Sequence, residues 1–229
     1  MAVVSEPYFS RELFAFLREL RAHNKRDWFQ NNKQRYEACV SEPFLRFIAD
    51  LGPNLHKINP HIVADPSPTG GSMMRIYRDI RFSKDKSPYK TSVAAHFWHE
   101  KGKEGATPAF YLHLEPGGSL IGAGIWRPEP GALKKIRDAI VNDPRRWKRV
   151  TSAGKLGYCK MSGESLQRPP RGFDPSHPLI DDIKRKDFTV GGSLADRKVI
   201  SRDFMEIALD AFRETAPFVE FLSKVIGLP

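Results

Sequence analysis

Three consecutive segments in which apolar and polar residues alternate constrain the fold of this chain more than any other feature of its sequence. They span residues 92–99, 109–115 and 119–126, and their period of two is that of a strand with one face in a core. Pro116-Gly117-Gly118 joins the last two segments and is typical of a hairpin. Because a parallel crossover needs about a dozen residues or more, connections this short favour antiparallel pairing. The sequence therefore predicts a central antiparallel meander.

Helical patterns flank the predicted sheet on both sides. In the first sixty residues, apolar stripes predict a helix after the N-cap Ser10, a second around Trp28 and a third that begins at Ser41. Gly52-Pro53 is expected to break or kink the third helix. Downstream, helical segments are predicted near residues 133–140, 144–150, 180–184 and 204–225, a long ordered loop at residues 152–178 and a short strand at residues 188–190.

These patterns predict an α+β fold in which the meander has helices at both the N- and C-terminal ends. No internal repeat or low-complexity linker is present, so residues 1–229 are predicted to form a single domain.

The two cysteines, Cys39 and Cys159, are isolated, which argues against a disulfide scaffold and a cysteine-based zinc site. The sequence shows neither a signal-peptide pattern nor an apolar run long enough to cross a bilayer. We therefore expect a cytoplasmic protein with no membrane partner, and the oligomeric state stays open.

The charge balance is strongly basic, with 37 Lys and Arg residues against 27 Asp and Glu residues and a formal net charge of +10. Such an excess favours acidic partners such as nucleic acid or phosphorylated small molecules, although a basic surface without a dedicated ligand has the same composition. Residues 75–90 concentrate this charge, because six cations there face only Asp79 and Asp85. This basic stretch is the predicted functional centre.

Residues 74–82 also alternate and predict a further strand, with Met74, Ile76, Ile80 and Phe82 in the core and Arg75, Tyr77, Asp79 and Arg81 on the other face. The planar donor fork of an arginine suits phosphate or carboxylate. In the alternative interpretation, Asp79 orients Arg75 and Arg81 in a self-paired row that binds no ligand. Arg78 falls on the apolar side, where it is expected to reach the sheet edge or to meet a carboxylate.

Residues 83–90 are predicted to form a loop, in which Ser83 and Asp85 favour turns and Pro88 stiffens the chain. The loop has no glycine with which to wrap a phosphate as a Walker loop does, so binding would depend on side-chain charge. The predicted ligand-binding residues are Arg75, Tyr77, Arg78, Asp79, Arg81, Lys84, Lys86, Tyr89 and Lys90.

Asp79 and His113 are the candidates for proton transfer. His113 shares the polar phase of its strand with Tyr111 and Glu115, and histidine titrates near neutrality, which suits a general acid or base. A lone strand histidine is more often structural. His96, His113, Asp79 and Glu115 lack a recognised metal-ligand spacing, so neither a metal nor a cofactor is predicted.

Two further clusters carry aromatic or basic residues. One lies near the first helix junction and consists of Asn24, Arg26, Trp28, Phe29 and Lys33. The other is the loop at residues 168–173, followed by His177-Pro178 and the basic residues 184–186. The second cluster is expected either to cover a site or to lie on the surface without a ligand.

These residues resemble a widespread family of bacterial and fungal proteins that is known only as a conserved domain of unknown function. Residues 75–90, with the pattern RIYRDxRFSKDKxPYK, carry most of the resemblance. It is supported by Trp28-Phe29 with Asn32-Lys33 and Tyr36, by Tyr111-Leu112-His113 leading to Gly122-Ala123-Gly124, and by residues 168–173 and 184–188. The resemblance covers essentially the whole chain. It implies a single domain with this signature, and it implies no activity.

Three functions stay open on the sequence alone. In the first, the chain binds a phosphate-bearing or other anionic ligand, either a nucleotide-like molecule or nucleic acid, on a basic, aromatic sheet face centred on residues 75–90. In the second, the chain is an enzyme acting on an anionic small molecule, in which Asp79 or His113 moves protons. In the third, the basic stretch is an internal ion-pair network of a structural or partner-binding protein.

Overall fold

The computed structural model describes residues 6–102, 107–152 and 157–229. Within these ranges the strands form one antiparallel sheet in the order β1-β2-β3-β5-β4. The strands are β1 Val93–Trp98, β2 Ala109–Leu114, β3 Leu120–Ile125, β4 Lys160–Ser162 and β5 Phe188–Ser193. The first three are the predicted meander, which is confirmed, and the β5–β4 pair extends it beyond β3.

Helices precede and follow the sheet, so the predicted α+β class is also confirmed. The helices are α1 Arg11–Ala22, α2 Arg26–Asn31, α3 Lys33–Tyr36, α4 Glu42–Ile58, α5 Pro130–Asn142, α6 Pro144–Thr151, α7 Ile180–Ile183, α8 Asp196–Val199 and α9 Phe204–Ile226. A π-helical turn, Glu37–Ser41, lies between α3 and α4. None of the helices in the described ranges is long and apolar enough to cross a membrane.

The alternation of apolar and polar residues gives the meander one buried face and one open face. Phe110, Leu112 and Leu114 of β2 are fully buried, whereas Tyr111 and His113 between them are only half-buried. The buried face packs against α9, where the Phe110 and Phe212 ring centroids are 4.8 Å apart. The other face of β2 is therefore left with polar side chains, as the alternation predicts.

The first helices follow the predicted stripes but not all of the predicted boundaries. The Ser10 hydroxyl accepts a hydrogen bond from the Glu12 N–H at 3.2 Å, as an N-cap does. The helix start expected at Ser41 is confirmed, since α4 begins at Glu42, but Ser41 has helical φ and ψ of −70° and −56° and makes no side-chain cap hydrogen bond, because the π-helical turn leads directly into α4. Pro53 lies inside α4 and does not end it. The buried residues Leu51 and Leu55 lie on either side of Pro53, so packing keeps the helix intact.

Helix α9 joins the N-terminal helices to the sheet. Phe204, its first residue, has its ring centroid 5.5 Å from that of Phe9 and 5.2 Å from that of Phe47 in α4. Further along α9, Phe218 contacts Trp147 of α6 at 6.0 Å between ring centroids. Such aromatic contacts add to the free energy gained from area burial. The assignment of residues 1–229 to a single domain stays a prediction.

The strand predicted at residues 74–82 is wrong. The chain pairs with β1 only at its start, where the Met74 N–H donates to Ala94 O at 2.8 Å, and it then leaves the sheet. Ile76 is the only one of the four predicted core residues that is buried, and Phe82 is 95 % exposed. Alternation produces a strand only where a neighbour supplies the ladder hydrogen bonds, and residues 79–87 have no such neighbour.

Residues 76–90 instead fold back on themselves and project from the sheet beside the start of β1. The Arg78 N–H donates to Pro88 O at 2.9 Å, and the Lys90 N–H donates to Ile76 O at 2.7 Å. Between these bonds Tyr77 and Tyr89 form an isolated antiparallel bridge. We call residues 76–90 the arm.

The region predicted as one long loop, residues 152–178, contains a strand. Its segment Lys160–Ser162 is β4, which pairs with β5. Residues 153–156 lie outside the described ranges. The strand predicted at residues 188–190 is confirmed and extends to Ser193.

Candidate functional site

The arm is attached to the turn between α1 and α2 by one side chain. The Asn24 amide nitrogen donates to Tyr89 O at 2.9 Å, and its amide oxygen accepts from the Tyr89 N–H at 3.1 Å. The buried Tyr89 ring stacks on Phe29 of α2 with 4.2 Å between the ring centroids. Burial raises the pKa of Tyr89. The arm is thereby attached to the N-terminal helices through both its backbone and an aromatic ring.

The loop of the arm is ordered by its own polar groups. Arg78 forms an ion pair with Asp85, so of the two alternatives expected for Arg78 the structure shows the one in which a carboxylate meets it. The Asp85 carboxylate also accepts the Ser87 N–H at 2.9 Å, and the Lys86 ammonium donates to Ile80 O at 3.0 Å. The hydrogen bond from Arg78, with those from Ser87, holds the pKa of Asp85 well below its usual range.

Asp79 pairs with Arg81 and not with both flanking arginines. Arg81 Nη2 donates to Asp79 Oδ2 at 2.7 Å, and Nε donates to Oδ1 at 3.0 Å. This bidentate hydrogen bonding, with a smaller contribution from the Arg75 charge, lowers the pKa of Asp79 to about 2. The self-paired row is therefore only half formed. A carboxyl group that is this acidic is a poor proton acceptor near neutral pH.

A cleft of about 440 Å³ lies between the arm and the end of α1, and we call it the basic cleft. Its cations are Arg21, Arg78 and Lys90, and its one acidic lining residue, Asp85, is already paired with Arg78. The full lining consists of Arg21, Asn24, Arg78, Asp85, Ser87, Tyr89, Lys90, Thr91 and Ser92. Its walls thus come from the first helix junction and from the arm, which are far apart in the sequence.

Lys90 is the least compensated charge of the basic cleft. It is half-buried, and burial together with the nearby Arg75 charge lowers the pKa of its ammonium group. Its side chain has no hydrogen bond or ion pair with any residue that the structure describes. A partly desolvated cation beside other cations is costly unless an anion compensates it.

A second cleft, of about 280 Å³, lies on the other side of Arg78 and Tyr89, and we call it the tyrosine cleft. The Tyr77 ring, 52 % exposed, lies 5.4 Å from the Tyr89 ring. The lining residues are Arg26, Gln30, Tyr77, Arg78, Ile80, Pro88 and Tyr89. The two clefts share Arg78 and Tyr89, so one ligand could contact both.

A polar row on the open face of the sheet leads to the basic cleft. The Tyr111 hydroxyl lies 3.2 Å from His113 Nδ1, and His113 Nε2 lies 3.1 Å from Glu115 Oε2. The other oxygen of Glu115 pairs with Arg21, which lines the basic cleft. His113 is thus connected to the cleft through two side chains, although it does not line it.

The structure brings together four of the nine predicted ligand-binding residues. Tyr77, Arg78, Tyr89 and Lys90 line the clefts, whereas Arg75, Asp79, Arg81, Lys84 and Lys86 do not. None of the nine lies on a sheet face, because residues 74–82 are not a strand. The loop at residues 168–173 lines neither cleft. In the described ranges, no three His, Cys, Asp or Glu side chains cluster as metal ligands.

Of the ten lining residues outside the predicted set, four come from the first helix junction, namely Arg21, Asn24, Arg26 and Gln30. Asn24 and Arg26 belong to the aromatic and basic group recognised there, and the structure places that group against the arm. Arg21 and Gln30 were missed, since each resembles an ordinary solvent-facing helical residue in the sequence. Their role depends on contacts across about sixty residues of chain, which no local pattern reveals.

The fold and the clefts define an α+β protein with a basic site built from a projecting arm and the first helix junction. The chain belongs to the family described as conserved hypothetical protein (DUF2461), whose model matches residues 12–221. That family is a domain of unknown function. No curated protein and no solved structure matches the chain.

Replacing Asn24 by Ala should release the arm. The substitution leaves the buried N–H and C=O of Tyr89 without partners, which costs about 1–3 kcal/mol of unfolding free energy. The matched control is Asn32→Ala, which removes one local hydrogen bond to Trp28 O. Urea denaturation measures the stability, and hydrogen exchange of the Tyr89 amide measures the arm. Unchanged exchange at Tyr89 in Asn24→Ala would show that another contact holds the arm.

The acidity of Asp79 gives a pH-dependent prediction. In a carbon-13 NMR titration its carboxyl group should titrate at a pKa of about 2, and Arg81→Ala should return this pKa towards the ordinary value of 3.8. Because the folded-state pKa is depressed, the pair stabilises the arm above about pH 4 and loses its effect as the pH falls to 2. If the pKa of Asp79 stayed at about 2 in Arg81→Ala, this result would contradict the bidentate pairing.

Proposed function

We propose that the chain binds a phosphate-bearing or other anionic ligand in the basic cleft. The observation that carries the proposal is the half-buried Lys90 ammonium, which lies beside other cations with no partner in the described part of the chain. A bound anion would compensate this charge directly. The enclosing wall of the arm would then hold the ligand against the first helix junction.

Arg21 and Arg78 complete the proposed anion site. Each guanidinium is oriented by one carboxylate, Glu115 for Arg21 and Asp85 for Arg78. A guanidinium carries five N–H donors, so each arginine keeps donors for a ligand after this pairing. Thr91 and Ser92 line the same cleft and add hydroxyl donors. The proposed site therefore binds through side chains, as the lack of a glycine-rich loop requires.

The proposal also assigns a role to the signature pattern at residues 75–90. These residues build the arm and supply Arg78, Tyr89 and Lys90 to the clefts. We propose that the pattern is the functional signature of the family. We also propose that the family occurs in bacteria and fungi and that this chain is cytoplasmic, for which its two free cysteines, Cys39 and Cys159, give support.

A second candidate function is catalysis on the bound anion. The polar row favours it, because His113 is hydrogen-bonded on both ring nitrogens and Glu115 connects it to Arg21 at the basic cleft. A histidine between a hydroxyl and a carboxylate can pass a proton along the row. Asp79 is not part of this candidate, since it is held ionised and lines neither cleft. Under catalysis, His113→Gln would keep ligand binding and lose turnover.

A purely structural role for the ion pairs has less support. Both Asp85 and Asp79 have more than two-fifths of their side chain exposed, and exposed pairs contribute little to stability. The arm is held mainly by Asn24 and by the Tyr89 stack on Phe29.

Lys90→Gln tests the proposed function with a single change of charge. Calorimetric titration with pyrophosphate should show roughly a tenfold or greater loss of affinity, as expected for a charge-assisted hydrogen bond of about 1.5–3 kcal/mol. Lys160→Gln is the matched control, since Lys160 is an exposed lysine on the β4 edge of the sheet, opposite β1. It should change the affinity less than about twofold. Equal losses in the two variants would assign the binding to bulk charge and contradict a site at Lys90.

A further inference from the structure

We infer that the anionic ligand is a single-stranded nucleic acid whose bases stack on the exposed rings of the arm. This inference rests on the proposed function, because it uses the basic cleft for a phosphate of the strand. It adds a stacking surface outside that cleft, at Phe82 and Tyr77.

Phe82 at the tip of the arm is the first observation. Its side chain is 95 % exposed, which is the highest value for a large apolar residue in the described ranges. The Arg81 guanidinium lies 5.8 Å from the centre of its ring. Exposing a whole phenyl ring costs hydration free energy, and nothing in the packing of the arm requires it. A ring with a cation beside it is a surface on which a base can stack.

The charge around the tip favours an extended polyanion. The two acids of the arm are each paired with an arginine, Asp79 with Arg81 and Asp85 with Arg78. The remaining cations of the stretch, Arg75, Lys84, Lys86 and Lys90, form no ion pair with a carboxylate of the described chain. These charges extend from the basic cleft to the tip. Neutralising successive phosphates with such a row is how proteins follow a nucleic-acid backbone.

The tyrosine cleft supplies a second base-sized surface, which adjoins the basic cleft through the shared residues Arg78 and Tyr89. The exposed Tyr77 ring forms part of its wall, and Arg26 and Gln30 line it. Their donors and acceptors can hydrogen-bond the edge of a base that stacks on Tyr77. Aromatic rings interleaved with cations are the usual surface for single strands, in which the faces of the bases are free.

An anionic membrane fits these observations less well. Insertion into a bilayer surface needs a contiguous apolar area, whereas Phe82 is flanked by Arg81 and Ser83 and followed by Lys84. The carboxylate of Asp79, with 45 % of its side chain exposed, lies on the same arm. Rings separated by charged groups suit the alternating bases and phosphates of a strand.

The test is fluorescence anisotropy with labelled twelve-nucleotide oligo(dT) and oligo(rU). Phe82→Leu keeps an apolar side chain but removes the ring, and it should weaken binding roughly tenfold or more, the effect of losing one base–aromatic stack. Phe82→Trp should restore or increase the affinity. Because the ring is exposed, neither change should alter the melting temperature.

Trp126→Leu is the matched control. Trp126 is 59 % exposed and has the Arg127 guanidinium 4.6 Å from its ring, but it follows β3 at the end of the sheet opposite the arm. Oligonucleotide affinity should be unchanged in this variant. Pyrophosphate affinity should be unchanged in both leucine variants.

Failure of the inference can be told apart from failure of the proposed function. Unchanged oligonucleotide affinity in Phe82→Leu would overturn the stacking inference. If neither oligonucleotide bound but pyrophosphate still bound in a Lys90-dependent manner, the inference would fail and the proposed function would stand. If neither ligand class bound, both would fail. Phe82-dependent binding to vesicles of phosphatidylserine, without oligonucleotide binding, would also overturn the inference in favour of a membrane.

Discussion

The two hydrogen bonds between the Asn24 side chain and the Tyr89 backbone are the interaction on which the candidate site depends. An asparagine side chain offers a donor and an acceptor in one plane, and here they satisfy the N–H and C=O of Tyr89, which take no part in the hydrogen bonds of its bridge with Tyr77. The stack of Tyr89 on Phe29 supports the same junction from the other side. This attachment holds the arm, with Arg78 and Lys90, against the first helix junction that carries Arg21. The site therefore forms only where the first helix junction and the arm meet in the fold, and the basic stretch alone does not form it.

Most of the fold could be predicted from sequence patterns that reflect which side chains are buried. The meander was predictable because each of its strands has one face in the core and alternates accordingly, as Phe110, Leu112 and Leu114 do. Residues 74–82 alternate equally well and form no strand, because the chain leaves β1 after Met74 and Asp79 turns back to bond the Arg81 N–H. Periodicity shows which face could be buried, and it does not show whether a neighbouring strand exists.

The location of the candidate site could be predicted from the sequence, and its lining residues only in part. The excess of cations in residues 75–90 identified the arm, and the turn chemistry of Asp85 and Ser87 is local. The pairing of charges was harder to predict, since the sequence pattern allows Asp79 to pair with Arg75 or with Arg81. The geometry of the turn at Asp79 brings its carboxylate to Arg81. Arg21 and Gln30 carry no local signal. What leaves Lys90 uncompensated is the arrangement of these groups in space, and that arrangement carries the functional proposal.

The most direct test of this account is an NMR titration of the Lys90 side chain, with and without pyrophosphate. In the free protein, we expect a pKa below the ordinary value of 10.5, because burial and the Arg75 charge disfavour the ammonium form. Bound pyrophosphate should raise this pKa, since an adjacent anion favours the charged form. A Lys90 pKa that starts at 10.5 and does not move when pyrophosphate is added would contradict an anion site in the basic cleft.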